Sequence, residues 1–170
     1  MPPSAPFDQH TETVRSEWVD YNGHMNVAYY MLAFDHATDA LLEHVGLDTA
    51  HRDTTGESVF VVEAHITYEN EAMEGQTLRV TTQVLDYDAK RMHIFHHMYA
   101  DGGEAIIATN ELMILSVNLE NRRAAPMSGA VAGRLAARIG SGVLSDVVEI
   151  KGDGTAIHSI FGGAFTVEAK

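Results

Sequence analysis

Eight residues, Val19-Asp20-Tyr21-Asn22-Gly23-His24-Met25-Asn26, gather more chemistry than any other stretch of this 170-residue chain. Asp20 brings a carboxylate, Gly23 lets the backbone turn sharply, and Asn26 stands just before an amphipathic run. A helix N-terminus carries about half a positive charge and presents backbone N–H groups that have no partner of their own. It can polarise a carbonyl or hold an oxyanion. A carboxylate within reach of such a carbonyl can attack it or activate a water. On spacing alone the same residues suit a local role better. Asp20 and Asn22 then form a turn, Asn26 caps a helix, and His24 either orients Asp20 or packs beside it.

Other groups carry less. Glu63 sits between Val62 and Ala64 in an apolar run, so it is either solvated at a sheet edge or paired, with His65 or a group of the site as partner. Asp35 and Asp39 lie one helical turn apart. His93, His96 and His97 cluster, but alternation puts only His93 and His97 on one face. Two imidazoles without a third ligand do not make a zinc site, so no metal is expected. No Gly-x-Ser-x-Gly elbow and no Gly-rich loop between a strand and a helix occurs, which disfavours a serine hydrolase and a phosphate-loop enzyme.

Asp20-x-x-Gly23-His24-x-Asn26, followed by Tyr30 and by Phe34-Asp35, resembles the signature of hotdog-fold acyl-CoA thioesterases of the 4-hydroxybenzoyl-CoA thioesterase type. In that family the Asp three residues before the Gly is the catalytic carboxylate, the position of Asp20. Val27 departs from a frequent second Asn, and Asp35 from a frequent Glu. The likeness runs from about Thr13 to Leu119. A longer one, Glu17 to Met25 with Asp39-Ala40-Leu41-Leu42 and Val61-Val62-Glu63-Ala64-His65-Ile66, is to betainyl-CoA thioesterases of carnitine breakdown, which are often fused to carnitine dehydrogenase. The resemblance implies hydrolysis of an acyl-CoA to free acid and CoA, without a cofactor. Asp20, Gly23, His24 and Asn26 become the catalytic group, and Tyr30, Glu63 and Arg91 the substrate contacts. It further implies sites built between subunits, in homodimers commonly paired into tetramers.

The elements that must position these groups follow from periodicity. Residues 1–10 read as a frayed arm, and Thr13 to Val19 as a first strand. From Asn26 to Val45, Val27, Tyr30, Met31, Phe34, Thr38, Leu41 and Val45 recur at steps of three and four, predicting one long helix with Gly46 behind it. Leu47 to Glu57 reads as a loop. Four strands then follow at 58–68, 77–87, 91–100 and 104–119, read as hairpin-linked, the first of them beginning buried on both faces. A second helix follows Pro126 and stops at Gly140. Two β-like runs, Val147 to Ile150 and Ala164 to Val167, fall in a glycine-rich tail. The pattern is α+β: an antiparallel sheet of about five strands around one long helix, with a second C-terminal helix. The hotdog name comes from the resemblance. The expected divisions are an arm over 1–12, a thioesterase domain over 13–140 and a tail over 141–170.

A formal net charge of −13 argues against nucleic acid and anionic membranes as partners. CoA is itself polyanionic, so a local basic patch is required, with Arg15, Arg79, Lys90, Arg91, Arg122 and Arg123 as candidates. A cationic acyl group would suit the acidity. The chain has no cysteine, no signal-like N-terminus and no apolar run of bilayer length, so a cytoplasmic enzyme is expected. The rival readings are a hotdog dehydratase or hydratase and a non-catalytic acyl-CoA-binding dimer, since fold does not fix function.

Overall fold

The computed structural model describes residues 6–139 and the backbone of three later strands. In chain order come β1 (Phe7–Thr13), a 3-10 turn at Ser16–Trp18, α1 (Val27–His44), α2 (Thr49–Thr55) and β2 (Glu57–Tyr68). Then follow β3 (Thr77–Tyr87), β4 (Arg91–Ala100), β5 (Ile106–Asn118), the two-residue β6 (Arg123–Ala124) and α3 (Gly129–Ile139). All pairings are antiparallel, and the main sheet runs in the order β1-β3-β4-β5-β2. One face of it packs on α1, the α+β arrangement that the sequence pattern predicts.

Several expectations need correction. The first strand is Phe7–Thr13, in part of the stretch read as a frayed arm; residues 1–5 of that arm lie outside the described residues. Short polar residues hide this strand, because only alternate positions face the core. The loop after Gly46 contains α2, capped by the Asp48 side chain, which accepts from the His51 N–H at 2.8 Å. β2 and β3 are not a hairpin. They stand three strand spacings apart, about 14 Å, which the eight residues between them cross easily. β2 is therefore an edge strand, and Phe60, Val61 and Val62, expected inside, are 37–56% exposed. Leu85 falls out of alternation because β3 bulges between Val84 and Asp86.

The core divides into two apolar clusters along α1. Tyr30, Ala33, Phe34 and Ala37 pack with Leu78, Val80, Met98 and Ala108, whereas Leu41, Leu42 and Val45 pack with Val84, Ile94, Leu112 and α3 residues Val131 and Leu135. Between them runs a polar layer. Thr82, His96 and Asn110 are cross-strand partners on β3, β4 and β5, all buried, and Thr38 meets them from α1. The Thr38 hydroxyl donates to the Phe34 carbonyl at 2.9 Å, so it accepts from His96 Nε2 at 3.0 Å. His96 Nδ1 then accepts from the Thr82 hydroxyl at 2.8 Å. This tautomer satisfies both ring nitrogens, and burial holds His96 neutral, its pKa lowered to about 3.

In the tail, β7 (Val147–Ile150), β8 (Ala156–Ile160) and β9 (Phe165–Ala169) form a sheet of their own. Its middle strand has no counterpart among the two runs read from the sequence. Gly140, read as the stop of α3, lies outside the described residues.

Candidate active site

The motif folds as a loop pinned at both ends. The Asn26 N–H donates to the Trp18 carbonyl at 2.9 Å and the Met25 N–H to Ala72 at 2.8 Å. Asp20 and His24 close the loop through a 3.1 Å backbone bond, and Gly23 takes φ +84°, the left-handed region that favours glycine. Asn26 caps α1, its Oδ1 accepting from the Ala28 N–H at 3.0 Å. The same side chain turns its Nδ2 toward Asp20 Oδ2, 3.5 Å away, while Asp20 Oδ1 accepts from the Asn22 N–H at 2.8 Å. The local reading of the sequence holds, and it leaves the carboxylate near the helix start. Asp20 is a turn former, Asn26 is a cap, and together they hold a carboxylate at the start of the long helix.

The backbone donors are fewer than the sequence suggests. Gly23, Met25 and Asn26 spend their N–H groups on the carbonyls of Asp20, Ala72 and Trp18, and Ala28 is capped. Among the described residues the N–H groups of His24 and Val27 have no protein acceptor.

A second segment, 69–76, packs beside the motif, and in sequence it signals only a turn. It leaves the β5 edge, where Glu69 and Asn70 donate to Ile107, and crosses under α1 to reach β3. Tyr30 fixes it in passing. Its hydroxyl donates to the Asn70 carbonyl at 3.3 Å and accepts from the Ala72 N–H at 2.9 Å, in a buried position that raises the phenol's pKa. His24 Nε2 lies 3.7 Å from Glu71 Oε1. A pocket opens here between His24, Val27, Tyr30, Tyr68 and Glu71. Tyr30 thus shapes the pocket wall.

Of the predicted set, the structure brings Asp20, Gly23, His24, Asn26 and Tyr30 together. Glu63 is apart from them, exposed on the edge strand β2, which is the solvated alternative. Arg91 opens β4 at the far end of β3 from the 69–76 segment, about 30 Å along the strand, and its guanidinium bonds Asp88 at 2.7 Å. Neither meets Asp20 within one chain. A wider cleft between α1 and β2 is lined by Asp35, Asp39, Arg52 and Phe60. Burial and the neighbouring Asp35 carboxylate both raise the Asp39 pKa.

Comparison with known proteins agrees with this fold. Residues 14–135 match the family model of the thioesterase-like superfamily. A betainyl-CoA thioesterase from Pseudomonas aeruginosa is 46% identical over 124 residues, 73% of this chain and 78% of that one. An L-carnitine dehydrogenase/betainyl-CoA thioesterase from Agrobacterium fabrum is 40% identical over 126 residues, 74% of this chain but 26% of the longer protein. Among solved structures, a Staphylococcus aureus protein in complex with CoA superposes with a TM-score of 0.75 at 29% identity, covering 84% of this chain and 92% of that one. A 40-residue stretch is also 70% identical to part of the electron transfer flavoprotein subunit alpha of Mycobacterium tuberculosis, 13% of that protein. No helix among the described residues is long and apolar enough to cross a membrane. With its motif, its sheet and its helix all of one kind, the chain belongs to the thioesterase-like superfamily, as an enzyme of thioester hydrolysis.

Proposed function

We propose that the enzyme hydrolyses an acyl-CoA whose acyl group is small and cationic, betainyl-CoA being the best match, with Asp20 as nucleophile or general base. The observation that carries this reading is the coupling of Asp20 to the cap of α1 through Asn26, which sets a carboxylate beside a helix N-terminus. The thioester carbonyl would lie over that N-terminus, its developing oxyanion facing the N–H groups of His24 and Val27. The acyl assignment is supported by the 46% identical relative and by the cleft of Asp35, Asp39 and Phe60. A quaternary ammonium is attracted to carboxylates and to an aromatic face, and it would offset the Asp35 charge that, after burial, raises the Asp39 pKa. Asp35 lies nine residues beyond Asn26, about 14 Å along the axis, too far for a small acyl group bound at the same chain's Asp20. A second copy joined along β2 would bring one chain's cleft toward the other's carboxylate.

The test is free-thiol release from betainyl, short-chain, long-chain and aromatic CoA esters, by wild type and Asp20→Asn. The expected result is turnover of the betainyl ester, reduced roughly 10²–10⁴-fold in the variant with the melting temperature unchanged. Full activity in Asp20→Asn would end the mechanism; tight binding of every ester without thiol release would point to the non-catalytic reading.

A further inference from the structure

Away from the Asp20 loop, three side chains from two elements converge on one point. His10 and Glu12 stand two residues apart on β1, so they share a face of the strand, and His36 meets them from α1. His10 Nε2 is 3.0 Å from Glu12 Oε1, and His36 Nδ1 is 3.2 and 3.1 Å from the two Glu12 oxygens. The two rings approach edge to face, 6.2 Å between centroids. All three ligand atoms lie within 4.8 Å of one another.

We propose that His10, Glu12 and His36 bind a divalent transition metal, with Zn²⁺ as the best-suited ion. Two imidazole nitrogens and one carboxylate oxygen form the donor set of a zinc site that keeps a fourth position for water. Bonds of about 2.0–2.1 Å at tetrahedral angles place neighbouring ligand atoms roughly 3.3 Å apart, and the contacts to Glu12 already sit near that spacing. Little movement is needed beyond drawing the two rings together. Each neutral ring would carry its proton on the nitrogen turned away from the ion. His10 and Glu12 are largely buried, with side chains 17% and 12% exposed, whereas His36 at 38% leaves a path for the ion.

The site is distinct from the reaction centre. His36 lies ten residues beyond Asn26, about 15 Å along α1. An ion here would tie the edge strand β1 to the helix whose first turn carries the chemistry, and so would stabilise the fold.

Untagged protein, stripped with chelator, would be titrated with Zn²⁺ by calorimetry and melted with and without the metal. His36→Gln is the principal variant, since its partly exposed side chain can change without breaking the core; His10→Gln is the second. We expect one Zn²⁺ per chain with a dissociation constant in the micromolar range or below, a raised melting temperature, and at least tenfold weaker binding in either variant. The assignment is overturned if wild type shows no saturable binding, or if both variants bind as tightly as wild type, which would place the ion on other histidines.

Discussion

Asn26 does two jobs with one amide, and they can be separated. Its Oδ1 caps α1 through Ala28, and its Nδ2 faces the carboxylate of Asp20. Asn26→Ser keeps an N-cap oxygen but loses the amide donor, so turnover should fall while the melting temperature stays close to wild type. Asn26→Ala loses both and should cost about 1 kcal/mol of stability in addition. Equal turnover in Asn26→Ser and wild type would remove Asn26 from the positioning of Asp20. This motif was the most legible part of the chain, because Asp, Gly and Asn each leave a backbone signature at fixed spacing. What spacing could not reveal was which N–H groups the loop consumes internally, since that depends on Ala72 and Trp18, contacts made only in three dimensions.

At the scale of elements, α1 was readable to within a residue at each end because its signals are local: an Asn cap, a stripe at steps of three and four, and Gly46. The end is a Schellman motif. The Leu47 N–H donates to Leu42 at 2.8 Å and the Gly46 N–H to Glu43 at 3.0 Å, with Gly46 at φ +83°. A Cβ on Gly46 would also run into the Arg134 guanidinium, which donates to the Val45 carbonyl and ties α3 to α1. Gly46→Ala should therefore cost about 1 kcal/mol from the backbone alone, with more from displacing Arg134, measurable as a lower urea midpoint at unchanged slope. Arg134→Ala on top of Gly46→Ala should add less than it does alone, because the two changes share one contact. β1 and the placement of β2 were not legible for the opposite reason. Strand order is set by long-range pairing, and β2 reads as an interior strand because a run of apolar residues, Val59 to Val62, looks the same in sequence whether it ends up inside a sheet or exposed at its edge.

For the whole molecule, the polar layer and the open edge carry the remaining predictions. His96 is held neutral in the native state with a pKa near 3, while in the unfolded chain it returns to about 6.5. The unfolded state thus binds a proton that the native state refuses, and stability drains away as pH falls from about 6.5 toward 3, by up to a few kcal/mol. His96→Gln keeps a donor and an acceptor for Thr38 and Thr82. It should be less stable at pH 7 but lose less between pH 7 and 4.5 than wild type, and the other titrating groups cancel in that difference. Parallel pH curves for the two proteins would refute the role given to His96. The β2 edge makes the larger claim. Among the described residues its outer side has no strand partner, and Phe60, Val61 and Val62 stand exposed beside the Asp35–Asp39 cleft. A long apolar edge left bare would invite aggregation, so a symmetric partner is its natural cover. If the edge pairs with a second copy, replacing Val61 and Val62 together by Lys would set charges against charges and should yield a monomer by light scattering. If each site borrows the other chain's cleft, betainyl-CoA hydrolysis should fall with the dimer even though Asp20 and the cap of α1 are untouched. A fully active monomer would show instead that one chain holds the whole site.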